Sequence, residues 1–106
     1  DINIITAQLF IPAAQVKDIA FQLRGEYDKV IFVAGGVADG KPHLTIMISN
    51  SLVEDLGLNA GQIIREAARE IKGGGGGQPH FATAGGKNVA GLGEAIEHIL
   101  DAAGLK

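Results

Sequence analysis

Apolar and polar positions alternate with two periods along this chain, and the changes of period mark its elements. Residues 2–11 (INIITAQLFI) are dense in β-branched residues and end at Pro12, which predicts a strand followed by the first turn of a helix. Over residues 12–24, Val16, Ile19, Ala20 and Leu23 recur at three-to-four spacing, giving one apolar helical face that Gly25 is expected to stop. Residues 29–34 (KVIFVA) and 43–49 (HLTIMIS) are short, nearly unbroken apolar runs, the pattern of buried strands. Between them, Ala38-Asp39-Gly40-Lys41-Pro42 carries the Asp-Gly signal of a tight reversal, so the pair predicts an antiparallel hairpin.

A short helical turn is expected near residues 52–56, broken by Gly57, and Asn59 is placed to cap a new helix. In that helix Ile63, Ile64, Ala67, Ala68 and Ile71 mark one face, and Arg65, Glu66, Arg69, Glu70 and Lys72 the other. It runs into Gly73-Gly74-Gly75-Gly76-Gly77, which predicts a loop, because each glycine loses more backbone entropy on ordering than any other residue. Residues 80–84 read as a short strand or turn. Gly85-Gly86-Lys87-Asn88 follows, with Asn88 as the expected cap of a last helix in which Leu92, Ala95, Ile96, Ile99, Leu100 and Ala103 keep the clearest 3.6-residue period in the chain. The order strand, helix, strand, strand, helix, glycine loop, helix predicts an α/β (α+β) fold. A small mixed sheet is covered by helices, in a single domain over residues 1–106.

Composition narrows the function. At 106 residues the chain is one domain long, and 46% hydrophobic against 20% charged residues is the balance of a folded domain rather than a disordered tail. With four Phe, one Tyr and no Cys, the core must be aliphatic, and disulfides, thiolate nucleophiles and Cys-ligated zinc are excluded together. No apolar run approaches the roughly 20 residues of a membrane helix and no signal-peptide layout is present, so a soluble, cytoplasmic domain without a membrane partner is expected. A chain that begins at Asp1 rather than Met is expected to be a fragment of a longer protein. The net charge of −3 lacks the overall basicity of an autonomous nucleic-acid binder, so any RNA contact must be local.

Nine of the sixteen glycines fall between positions 73 and 93, which concentrates the candidate chemistry there. Five consecutive glycines present main-chain N–H groups with no side chains in the way of a phosphate or sugar. Lys72 and Lys87 bracket the stretch, and the amides opening the last helix are themselves suited to an anion. The alternative is a flexible linker, but the roughly thirty residues that follow are too few to fold alone. No Gly-Lys-Ser/Thr phosphate loop is present, and a GxGxxG match inside polyglycine is trivial.

GGGGGQPHFATAGGKNVAGL, from Gly73 to Leu92, resembles the signature of the glycine-rich domain that closes alanyl-tRNA synthetases, the DHH-associated domain that also follows DHH phosphoesterase domains. The run at Gly73 to Gly77, then Pro79, the element Ala84 to Lys87 and a helix from about Val89 match in order. The upstream helix and strands extend the resemblance over most of the chain. It implies a parent enzyme that joins alanine to tRNA(Ala) using ATP and magnesium, with a zinc-dependent editing domain. Within this segment it implies no catalytic centre, metal or cofactor, a grip on the outer corner of the tRNA, and a part in homodimer formation. The nucleic-acid-binding residues expected are Lys72, the five glycines Gly73, Gly74, Gly75, Gly76 and Gly77, Gln78, His80, Gly85, Gly86, Lys87 and Asn88. Many bacterial synthetases have Arg-Pro-Asp where this chain has Gln78-Pro79-His80, and DHH phosphoesterases place a histidine directly after the glycines, whereas His80 lies further on.

His80 is open to two readings, a ribose or phosphate contact or an ordinary surface histidine. His43 and His98 lack a metal-ligand partner one turn away. Arg65 and Arg69, one turn apart, extend a basic track toward Lys72, unless Glu66–Arg69 pairing makes them a plain solvated face. Ser49, Ser51 and Thr83 have no adjacent histidine to activate them, so catalysis is not expected. Two rivals to tRNA binding stand: the substrate-binding domain of a DHH phosphoesterase acting on single-stranded nucleic acid or nucleotides, and an oligomerisation module that touches no RNA.

Overall fold

Strand β1 (Asn3–Gln8) runs parallel to β2 (Val30–Ala38), and the crossover between them is helix α1 (Ala13–Glu26). The structure, a computed structural model, describes residues 2–104. Pro12 is the N-cap of α1, as its fixed φ favours, but the helix runs through Gly25 and ends only when the Tyr27 N–H donates to the Leu23 carbonyl. The β1–α1 connection crosses the sheet closely. A side chain at Gly36 would drive its Cβ into the Leu9 carbonyl oxygen, and the buried His43 ring fastens the crossing through Nε2 to the Ile11 carbonyl at 2.9 Å.

The expected hairpin is present. β2 pairs antiparallel with β3 (Lys41–Ile48), and Asp39 and Gly40 turn the chain with φ of 53° and 74°, the doubly left-handed pair that a two-residue hairpin requires. Short helix α2 (Asn50–Leu56) ends at left-handed Gly57. Helix α3 (Ala60–Ala67) is capped as expected, Asn59 Oδ1 accepting from the Gln62 N–H at 3.1 Å, and tightens into a 3-10 turn, Ala68–Ile71.

The glycine run is not a loop. Residues Gly74–Gln78 form β4, an edge strand, and Phe81–Gly85 form β5, which lies between β3 and β4 to give the order β1-β2-β3-β5-β4. Glycine is a poor strand former by itself, yet here bulk would be intolerable at alternate positions, Gly75 and Gly77. At Gly75 a Cβ would collide with the Thr83 carbonyl oxygen, and at Gly61 on α3 it would lie 2.7 Å from that of Gly77. The close approach of strand and helix overrides the local preference. After β5, a 3-10 turn at Val89–Gly91 leads into α4 (Leu92–Ala102).

The sheet is buried on both faces. Ile31, Val33, Leu44, Ile46, Ile48, Ala82 and Ala84 meet α2, α3 and α4 on one side. On the other, Val30, Phe32, Ala34 and Met47 meet Val16 and Ala20 of α1. This is the α+β architecture expected, with one more hairpin in the sheet than the hydrophobic pattern predicts.

Candidate functional site

Alternation along β4 and β5 decides which groups the glycine hairpin exposes. Phe81, Thr83 and Gly85 lie on the α1 side of the sheet, and so do their cross-strand neighbours Gln78, Gly76 and Gly74. Helix α1 covers β2 and β3 and stops short of β4. A Cβ at Gly74 or Gly76 would meet nothing within 4 Å, whereas Gly75 and Gly77 are pressed against β5. The strand is therefore bare and open on one face as far as Gln78, and filled on the other.

At the open end of the hairpin, Lys41, Lys72 and Lys87 surround a depression of about 310 Å³ whose remaining lining is Pro42, Gly73, Gly85 and Gly86. All three lysines are exposed and none forms an ion pair among the described residues. Lys41, which the sequence offers only as a turn residue, is brought here because β3 lies next to β5, a long-range pairing with no local signal. At the other end Pro79 and His80 make the two-residue turn, roughly 17 Å away for a five-residue strand. Gln78 and His80 are thus separated from the lysines rather than grouped with them. They line a second groove with Lys17, Phe21, Gly76, Phe81 and Thr83.

The main-chain amides expected to face an anion are partly engaged. Gly73 N–H donates to the Ala68 carbonyl, Gly86 N–H to Pro42, and the Lys87 and Asn88 N–H groups both to Ile71, at 2.8–3.1 Å. Asn88 does not cap the last helix: its side-chain amide donates to the Glu70 carbonyl at 3.2 Å, and α4 begins only at Leu92. The formal positive charge of this region is carried by the lysine side chains. Arg65 stands one turn beyond Gly61, the residue that abuts β4, with Arg69 a turn further on, but neither lines the lysine depression. The Glu66–Arg69 pair does not form among the described residues. Glu66 instead lies 3.8 Å from His98 Nε2, an exposed contact of little energetic weight.

Charge differs between the glycine hairpin and α4. Among the described residues no carboxylate lines either the lysine depression or the groove at the turn, whereas Glu70, Glu94, Glu97 and Asp101 gather with His98 around α4. An acidic total is thereby compatible with a local basic face. Among the described residues no helix is long and apolar enough to cross a membrane.

A mixed sheet edged by a bare glycine hairpin, with cations at its open end, defines a class of small α+β domains whose distinctive part is that hairpin. Residues 1–104 match the model of the DHHA1 domain, and the chain belongs to that family. It is 59% identical over 96 residues to an alanine–tRNA ligase of Bacteroides thetaiotaomicron, covering 90% of this chain and 11% of the ligase. It is 57% identical over 105 residues to that of Bacteroides fragilis, covering 98% of this chain and 12% of the ligase. The chain thus spans about a ninth to an eighth of the length of these relatives. Its fold is shared with the C-Ala domain of Aquifex aeolicus alanyl-tRNA synthetase, at a TM-score of 0.79 and 24% identity over 96% of this chain and 89% of that one.

Proposed function

We propose that this chain is a tRNA-binding C-terminal domain of an alanine–tRNA ligase, and that the open face of the glycine hairpin, with Lys41, Lys72 and Lys87, is where it holds tRNA(Ala). The observation that carries the reading is the meeting of three exposed lysines at the end of a strand whose open face is bare at Gly74 and Gly76. Cations supply affinity for the sugar-phosphate backbone without reading sequence, and the bare strand lets a ribose approach the main chain. Activation of alanine with ATP and magnesium, and zinc-dependent editing, belong in this reading to the remainder of a cytoplasmic enzyme.

Titration of labelled tRNA(Ala) with the domain over a range of salt concentrations tests this. For three phosphate contacts, Lys41→Ala/Lys72→Ala/Lys87→Ala should reduce the slope of log K against log[salt] by up to about three. Equal slopes for the parent and the triple variant, with both folded by circular dichroism, would reject the lysine site. A further role in dimer formation is favoured by β1, an edge strand whose Ile4 is 48% exposed, and by Phe10, 73% exposed in the connection that follows it. Sedimentation equilibrium of the parent and an Ile4→Lys variant measures it. A parent that stays monomeric at high concentration would remove that role.

A further inference from the structure

The groove at the turn end of the glycine hairpin differs chemically from the lysine depression. It has a volume of about 340 Å³, within the size range of small-molecule sites, and its apolar wall is a pair of phenylalanines rather than backbone. Phe21 comes from α1 and Phe81 from β5. Their ring centroids are 5.0 Å apart at an interplanar angle of 40°, and Phe21 remains 36% exposed. Lys17 Nζ lies 5.6 Å from the Phe21 centroid and 6.0 Å from that of Phe81, and Arg24 Cζ lies 4.9 Å from Phe21. The floor is Gly76, where even an added Cβ would find no atom within 4 Å, with the half-buried Thr83 beside it. An exposed aromatic ring, a side-chain-free floor and flanking cations with no carboxylate in the lining are together the requirements for a flat, π-faced group attached to an anionic chain.

We propose that this groove is a nucleobase subsite. One unpaired or exposed base of a bound RNA stacks on Phe21 over Gly76, while Lys17 and Arg24 leave the ring for the adjoining phosphate. The inference rests on the tRNA reading above and deepens it. Gly74 and Gly85, at the lysine end of the same two strands, lie two residues along from Gly76 and Thr83, about 7 Å, which is within the reach of a single nucleotide. A strand of RNA lying along the bare face thus meets a base platform at one end and a phosphate cluster at the other. An apolar peptide side chain would also fit the phenyl wall, but it would leave the cations along the same face without a counterpart.

The chain contains no tryptophan, so Phe21→Trp introduces a single indole at the platform. Its emission should be quenched strongly when tRNA(Ala) is added and far less by inorganic polyphosphate, which can draw Lys17 and Arg24 from the ring but offers no base to stack. Phe21→Leu, which keeps an apolar cover over Phe81 and removes the ring, should weaken tRNA binding by about tenfold, the effect of losing one stacked base. It should leave the salt slope unaltered, because no cation that meets a phosphate is removed. If tRNA binds the parent and Phe21→Leu equally and the indole emission does not change, the base subsite is overturned while the lysine site stands. If labelled tRNA fails to bind the parent at low salt, the tRNA reading and the subsite fall together.

Discussion

Lys72 combines a charge the tRNA reading needs with a backbone conformation a lysine resists, and one substitution separates the two. It has φ 52° and ψ 51°, the left-handed region, at the end of the 3-10 turn Ala68–Ile71. Its N–H donates to the Arg69 carbonyl at 3.1 Å, and the next N–H, of Gly73, reaches back to Ala68 at 3.0 Å, the helix-ending arrangement in which glycine is usual. Left-handed backbone costs an L-residue about 1–2 kcal/mol. Lys72→Gly relieves that cost but gives the unfolded chain back about 0.5–1 kcal/mol of freedom. The net expectation is a gain of about 0.5–1 kcal/mol, which for a domain of this size raises Tm by roughly 2–5 °C. The same variant loses one cation, so its tRNA salt slope should fall by about 0.9 or less. Thermal unfolding by circular dichroism and tRNA titration at several salt concentrations read the two effects. Lys72→Ala keeps the strained backbone, so it should lose the slope without gaining stability. A lower Tm for Lys72→Gly would refute the backbone reasoning, and a raised Tm with an unchanged slope would remove Lys72 from the phosphate contacts.

Further substitutions probe the fold around the site. Gly75→Ala would bring its Cβ within 2.6 Å of the Ala84 Cα as well as against the Thr83 carbonyl, and should cost at least about 2 kcal/mol in urea unfolding. Gly74→Ala, pointing into open space, should be neutral or stabilise by about 0.5–1 kcal/mol; equal effects at the two positions would contradict the assignment of faces. Thr45→Val should stabilise by about 1 kcal/mol, because Thr45 Oγ1 is fully buried without a hydrogen-bond partner among the described residues, and a loss on chemical denaturation would show that the hydroxyl is satisfied in solution. Asn59→Ala should cost about 1 kcal/mol and Asn59→Asp far less, since either oxygen can accept from the Gln62 N–H; an unchanged urea midpoint for Asn59→Ala would deny the cap any role.

The parts of the fold legible in the sequence are those whose signals are local. The period of Val16, Ile19, Ala20 and Leu23 marks α1, Asp39-Gly40 marks the hairpin, and Asn59 marks the start of α3. The glycine strand is hidden because its cause lies elsewhere in the chain. β5 on one side and Gly61 of α3 on the other approach so closely that side chains would collide, and neither neighbour can be inferred from five glycines. Gly25 misleads for the related reason that one glycine weakens a helix without ending it when Leu23 and its neighbours are anchored beneath. Within the site, Lys72 and Lys87 are legible from flanking the run, but Lys41 is not, since only the β3–β5 pairing brings it alongside. A loop would leave His80 near the lysines, and the extended hairpin instead carries it to the far end.

A margin of sheet made from bare peptide has also given up the usual defences against unwanted neighbours, for no charge or proline stands along Gly74–Gly77 to turn a foreign strand away. Its safeguard is brevity. The strand has five residues, and Pro79, which has no N–H to offer, follows immediately. Insertions that lengthened the ribbon before that proline would trade a ligand face for a self-associating one, which sets an upper bound on how much glycine this position can hold.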